Sequence, residues 1–185
     1  MAINHTILGM LSYQPLTGYD LKKRMQGSSF MPWSGNNNQI YKALLELTKY
    51  DFVTSEVVHQ DSFPSKKVYT ITESGLVELK NWAKSKPEAF EAKKPFLLQL
   101  AWGDLLSYEE LDVLLSQYER EIEIQLLMEQ KRPATKQLGR SRSPRETVLW
   151  ELINDNIILS YKADLEWIKN ARIALSKLHD SESVE

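Results

Sequence analysis

The chain has 185 residues, of which 42% are hydrophobic and 26% charged, and its formal net charge is −2. That make-up excludes a disordered or fibrous chain and leaves room for one ordinary domain or two small ones. The absence of cysteine removes disulfides, thiol chemistry and the usual structural zinc ligands.

No apolar run approaches the roughly 18 residues of a membrane span. The first residues lack the basic start and long apolar region of an export signal. A cytoplasmic location is therefore expected. The charge is unevenly placed: residues 1–86 carry ten Lys or Arg against seven Asp or Glu, whereas residues 87–185 carry thirteen against eighteen. A mildly basic front half permits a polyanionic partner through counterion release without demanding one. The acidic rear half argues against a second nucleic-acid surface.

Ile3, Ile7, Leu8 and Leu11 predict a short first helix, capped by Asn4, that Pro15 terminates. Thr17 with Asp20 three places on has the spacing of a capping box for a second helix. Tyr19, Leu21 and Met25 are expected to supply its apolar contacts, and Lys22, Lys23 and Arg24 a basic flank facing a phosphate strand. Phe30, Met31 and Trp33 fall in a connection, where Trp33 is expected to plug the core.

The central stretch is residues 34–72. Ser34 or Asn36 is placed to cap a third helix, and Asn36 with Gln39 has capping-box spacing. Ile40, Ala43, Leu44 and Leu47 form its apolar stripe, which leaves Asn37, Asn38, Tyr41 and Lys42 facing outward. Residues 52–58 and 68–72 then switch to strand character, predicting a hairpin whose polar tip carries Lys66 and Lys67. Three helices followed by a hairpin is the order of a winged helix-turn-helix, in which the third helix enters the major groove.

Thr72 is placed to cap a fourth helix lined by Leu76, Leu79 and Trp82. Pro87 and Pro95 mark a boundary, put here at residue 86. Ser107 and Glu110 predict a second capping box, opening a helix from Tyr108 to about Gln130. Ser143 and Pro144 open a last helix reaching about Leu178. Along it Trp150, Ile153, Ile157, Tyr161, Ile168, Leu175 and Leu178 trace a near-heptad seam beside Leu165. A second copy of the chain is expected to cover that seam, the competing account being a self-contained antiparallel hairpin. The fold class is thus mainly α with a small β-hairpin. Residues 1–86 form a winged helix-turn-helix, and residues 87–185 a long-helix dimerisation domain with a possible effector site.

Catalytic and metal chemistry find no support. His5, His59 and His179 are too scattered for a metal motif, and the glycines form no phosphate-cradling loop. The many carboxylates fit solvated helix faces. No metal, no cofactor and no enzyme activity are expected. Asn37 and Asn38 are the candidates for reading base edges, since an amide pairs bidentately with adenine; the competing role is capping or solvation. Tyr41, Lys42, Lys22, Lys23, Lys66 and Lys67 are the candidates for positioning on phosphates. A protein-interaction module, whose winged domain docks protein rather than DNA, is the alternative function.

Four motifs in this order carry a family resemblance: Ile7–Leu11 (ILGML), Leu16–Lys22 (LTGYDLK), Gln39–Leu45 (QIYKALL) and Val68–Gly75 (VYTITESG). The first 86 residues resemble the PadR family of bacterial transcriptional regulators, and the remainder looks like its longer, phenolic-acid-regulator type. The resemblance implies a dimeric repressor on a palindromic operator of double-stranded DNA, relieved by a small aromatic or phenolic effector. It puts Tyr41 on the family's helix-three tyrosine, expected to touch the DNA backbone or fix that helix. Trp102, Tyr108, Tyr118, Trp150 and Tyr161 are the candidates to line an effector cavity between the wing domain and the dimer helices; ordinary core packing is the competing account. Two departures stand out. Lys42 replaces a proline common in relatives, and Asp51 occupies a turn position usually held by glycine.

Overall fold

The computed structural model describes residues 2–31, 36–59, 65–88, 94–132 and 141–182. Trp33, Ser34, the hairpin tip at 60–64 and the polar segment at 133–140 lie outside the described residues. The chain divides into two units, one over residues 1–88 and one over the described part of residues 89–185.

The first unit runs α1 (Ala2–Leu11), β1 (Leu16–Thr17), α2 (Gly18–Gln26), α3 (Asn37–Lys49), β2 (Val53–Val58), β3 (Lys66–Ile71) and α4 (Glu73–Lys84). This is a winged helix-turn-helix, as the hydrophobic spacing predicts. Its core is closed by α1, α2 and α3 through Ile7, Leu8, Leu11, Leu21, Met25, Ile40, Leu44 and Leu47. The α4 stripe differs from expectation: Leu76 and Trp82 are exposed, Leu79 is half-buried, and Trp82 stacks on His5. Two other details differ. The Asn4 amide lies inside α1 and donates to Glu46 Oε2 of α3 at 3.1 Å, so it joins two helices rather than capping one. Tyr19 is 67% exposed and contributes little to the core.

The sheet has three strands in the order β1-β3-β2, all antiparallel. Sequence patterning misses β1, because two residues show no periodicity. Lys66 and Lys67 are not in the turn: they open β3, opposite Val58 and Val57.

The α3–β2 and β3–α4 junctions are locked together. At the end of α3 the Phe52 N–H donates to the Leu47 carbonyl and the Asp51 N–H to that of Thr48, at 3.0 and 3.1 Å. This is the paired-bond termination called a Schellman motif, which needs a left-handed residue after the cap. Asp51 supplies it at φ 57°. Its carbonyl accepts from the hydroxyls of Thr72 and Ser74 at 2.6 and 2.7 Å. Thr72 Oγ1 in turn accepts from the Gly75 N–H and so caps α4. Gly75 is buried against this turn: a Cβ there would lie 2.2 Å from the Phe52 carbonyl oxygen.

The second unit contains α5 (Pro95–Ala101), a 3-10 turn (Gly103–Leu105), α6 (Tyr108–Lys131) and α7 (Pro144–Glu182). Ser107 and Glu110 form the expected capping box on α6. The Ser143 hydroxyl accepts from the Glu146 N–H at 3.1 Å to start α7. The two long helices pack on each other antiparallel. Arg172 of α7 pairs with Asp112 and, at 3.2 Å, with Glu119, and donates to Ser116. Of the seam on α7 only Ile168 is fully buried; Trp150, Ile153, Ile157, Tyr161, Leu165 and Leu175 are half-buried and Leu178 is exposed.

The units differ in how much apolar surface they bury. Among the described residues four hydrophobic side chains are buried in the second (Phe96, Leu115, Ile122, Ile168) against thirteen in the first. At roughly 1.5–3 kcal/mol per buried side chain, the second unit is the less self-sufficient. Val113, Ile124, Leu127 and Met128 of α6, with Val148, Leu149, Leu152, Leu159 and Ile173 of α7, remain exposed.

Candidate nucleic-acid interface

The third helix presents a polar face because its sequence leaves no alternative. Ile40, Ala43, Leu44 and Leu47 turn inward, so Asn37, Asn38, Tyr41, Lys42 and Leu45 are exposed together on the other side. Asn36 begins the helix by accepting from the Asn38 N–H at 2.9 Å. The Gln39 N–H goes to the Asn36 carbonyl at 3.2 Å, so the cap closes on Asn38 rather than in the expected box with Gln39. The Asn37 and Asn38 side chains stand in the first turn of α3, the part of a recognition helix that reaches base edges. Leu45, 69% exposed on the same face, escapes a search for polar contacts.

Beside this face lies a hollow of about 660 Å³ lined by Thr17, Gly18, Tyr19, Asp20, Tyr41, Lys66, Lys67 and Tyr69. Three of the sequence candidates, Tyr41, Lys66 and Lys67, meet here. Lys22, Lys23, Asn37, Asn38 and Lys42 do not line it; Lys22 is half-buried on α2 and Lys23 exposed. The start of α2 is fixed by Thr17, whose hydroxyl accepts from the Asp20 N–H at 3.1 Å. The Asp20 carboxylate accepts from the Thr17 N–H and hydroxyl. Those bonds, chiefly the one from the hydroxyl, hold the Asp20 carboxyl below its ordinary range despite partial burial. The Tyr41 ring lies on Gly18, where a Cβ would come within 2.9 Å of Tyr41 Cε1. Tyr69 is 7% exposed, with the Lys67 ammonium 5.5 Å from its ring centre. Burial, then the neighbouring Tyr41, pushes its phenol above the usual value.

A second hollow, about 640 Å³, lies wholly within the second unit and not between wing and helices as expected. Tyr118 of α6 and Tyr161 of α7 line it, together with Lys94, Leu97, Asn156, Asp164 and Trp167. Trp102, Tyr108 and Trp150 do not. Trp102 is 70% exposed, Tyr108 borders a small crevice with Arg172, and Trp150 is half-buried elsewhere on α7. Helical spacing shows which residues share a face and not which faces meet, so it missed Trp167 and Lys94. Two of the lining rings rest on the buried Phe96, which stacks on Tyr118 with ring centres 3.8 Å apart and meets Trp167 edge-on at 6.1 Å. Lys94 is paired with Asp164. Burial raises the Tyr118 phenol, and the Asp164 charge adds to it. Burial also raises that of Tyr161, followed by the charge of Glu129, itself buried and paired with Arg132 at 2.9 Å.

Among the described residues no three His, Asp or Glu side chains are grouped to hold a metal, and no helix is long and apolar enough to cross a membrane.

Residues 7–81 match the family model described as the transcriptional regulator PadR-like family. The negative transcriptional regulator PadR of Bacillus subtilis is 33% identical over 109 residues, 58% of this chain and 60% of that protein. The chain therefore aligns in sequence with about three-fifths of that relative. In structure, Bacillus subtilis PadR in complex with operator DNA superposes with a TM-score of 0.76 at 25% identity, over 95% of this chain and 99% of the other. The same protein in complex with p-coumaric acid gives 0.72 at 25% identity, with the same coverage.

Proposed function

We propose that this chain, a member of the PadR-like family of transcriptional regulators, is a cytoplasmic homodimeric repressor that binds a palindromic operator and releases it to a small aromatic acid. One observation carries the reading: an exposed polar helix face lies beside a hollow holding two lysines and three tyrosines on the winged unit. Asn37 and Asn38 read base edges in the major groove. Tyr41, Lys42, Lys22, Lys23, Lys66 and Lys67 set register on phosphates. The likeness to an operator-bound relative supports the assignment.

Residues 1–86 serve DNA binding and residues 87–185 serve pairing and effector binding. The exposed apolar side chains of α6 and α7 support a second copy as their cover. Pairing sets two α3 helices about one DNA turn, roughly 34 Å, apart. The aromatic hollow of the second unit, with Tyr118, Tyr161 and Trp167, is the effector site. Lys94 offers a carboxylate partner there once Asp164 gives way, and the p-coumaric acid complex of the relative supports that ligand class. An effector that binds better to the dimer with its α3 helices displaced shifts the population away from the DNA-binding spacing.

The test is selection of bound sites from random duplexes, then affinity for the enriched duplex across a salt series with and without phenolic acids. A palindromic site, affinity falling steeply with salt, and loss of affinity with the acid are expected. Lys66→Ala should weaken cognate and random duplexes by similar factors. A monomeric protein with no preference between enriched and scrambled duplex would sink the proposal. Salt-insensitive capture of a protein partner would favour the interaction module instead.

A further inference from the structure

The aromatic hollow of the second unit carries its own counterion. Among the described residues that line it, Lys94 is the one cation and Asp164 the one anion, and they are paired with each other across 70 positions of the chain. Lys94 stands at the start of α5 and Asp164 on α7, so the pair ties these two helices together. Asp164 also lies close enough to Tyr118 to hydrogen-bond with its phenol. The two charged side chains are 40% and 20% exposed, so solvent screens their contact only in part. The rest of the wall is mostly apolar, with Leu97, Ile157 and the Trp167 ring. A cation and a phenol beside such a wall are the contacts an aromatic carboxylate would use. Here both are taken up by a carboxylate of the chain itself.

Resting on the effector reading above, we propose that Asp164 is a built-in competitor for the effector's carboxylate and thereby sets which ligands the hollow accepts. An incoming acid has to change places with it: the contact between Lys94 and Asp164 breaks, and one between Lys94 and the ligand forms. The number of ion pairs on Lys94 is the same before and after, so the exchange itself supplies little net free energy. The surplus comes from the body of the ligand. An aromatic ring gains apolar and edge-to-face contact with the wall, whereas a simple carboxylate brings none and stays out. A neutral aromatic uses the wall alone and leaves the pair closed. Only the acid's apparent affinity is therefore scaled down by the fraction of molecules in which the pair is open.

The experiment measures binding of p-coumaric acid and of its methyl ester to the full-length protein by calorimetry. The ester keeps the ring and vinyl group but carries no charge. Asp164→Asn, which is nearly isosteric, frees Lys94 and removes a like charge. It should tighten the acid about five- to tenfold, up to roughly fivefold from the partly exposed pair and the rest from lost repulsion. The ester's affinity should not change. Lys94→Met should weaken the acid and spare the ester, and the double variant should bind acid and ester alike. The ratio of the two affinities cancels any loss of folded protein. An acid affinity in Asp164→Asn at or below that of the wild type overturns the competitor, as does an equal shift for acid and ester. Both outcomes leave the effector reading standing, because the wild type still binds the acid. A wild type that binds neither ligand would remove that reading and the competitor with it.

Discussion

Replacing Gly75 by alanine tests the junction on which the wing is mounted. The added Cβ would sit 2.2 Å from the Phe52 carbonyl oxygen, 2.9 Å from Ile71 Cγ1 and 3.0 Å from the Phe52 carbonyl carbon. The nearest of these is backbone, so relief requires α4 and the α3–β2 turn to part by roughly 1 Å, the kind of overpacking that costs about 1–3 kcal/mol. The Phe52 oxygen also accepts from the Thr72 N–H at 3.0 Å, and Thr72 caps α4. Losing that bond and the cap adds about 1 kcal/mol each. Against this, alanine favours a helix over glycine by about 1 kcal/mol. The balance is a loss of roughly 2–4 kcal/mol, or a fall in Tm of the first unit of about 10 °C or more. Thermal and urea unfolding followed by circular dichroism measure it, with the second unit's transition as an internal reference. A Gly75→Ala protein as stable as the wild type would refute the close approach and the argument built on it.

Asp51→Gly should stabilise the first unit by about 0.5–1 kcal/mol, because glycine adopts the left-handed backbone at φ 57° without steric cost, whereas Asp51→Val should destabilise it; urea midpoints of the three proteins decide. Arg172→Ala leaves Asp112 and Glu119 without their shared cation, so the second unit should lose about 1–2 kcal/mol, discounted for its partial exposure; an unchanged midpoint would count against the clasp. The Asp20 carboxyl is depressed in the folded state, so its contribution is present above about pH 4, the unfolded value, and disappears as pH falls through the lower folded value. Asp20→Asn should therefore flatten the acid limb of stability against pH, and an acid limb of wild-type shape would contradict this.

What the sequence could reveal was what local rules govern. Thr17 with Asp20 and Ser107 with Glu110 form reciprocal bonds over three residues, and both appear as expected. The buried stripe of α3 followed from spacing alone, and so did the outward set Asn37, Asn38, Tyr41 and Lys42. The need for Asp51 to act as a glycine came from the family resemblance, which places a glycine at that turn, and the left-handed backbone is there.

Long-range partners were not legible. Asn4 looks like a cap until Glu46, 42 positions away, claims its amide. The strand Leu16–Thr17 exists only because Tyr69 and Val68 lie opposite it. Of five aromatic residues grouped by composition, only Tyr118 and Tyr161 border one hollow, because the pairing of α5, α6 and α7 determines which aromatic faces meet.

The two-residue ladder between Leu16–Thr17 and β3 has a mechanical consequence. It fastens the root of the hairpin to the residue that starts α2, so the hairpin cannot pivot on its own without tearing that ladder or dragging Thr17 with it. Lever-like flexing of the wing is thereby suppressed. If the proposed regulator holds, a change in duplex affinity would be carried by the winged unit moving as one block.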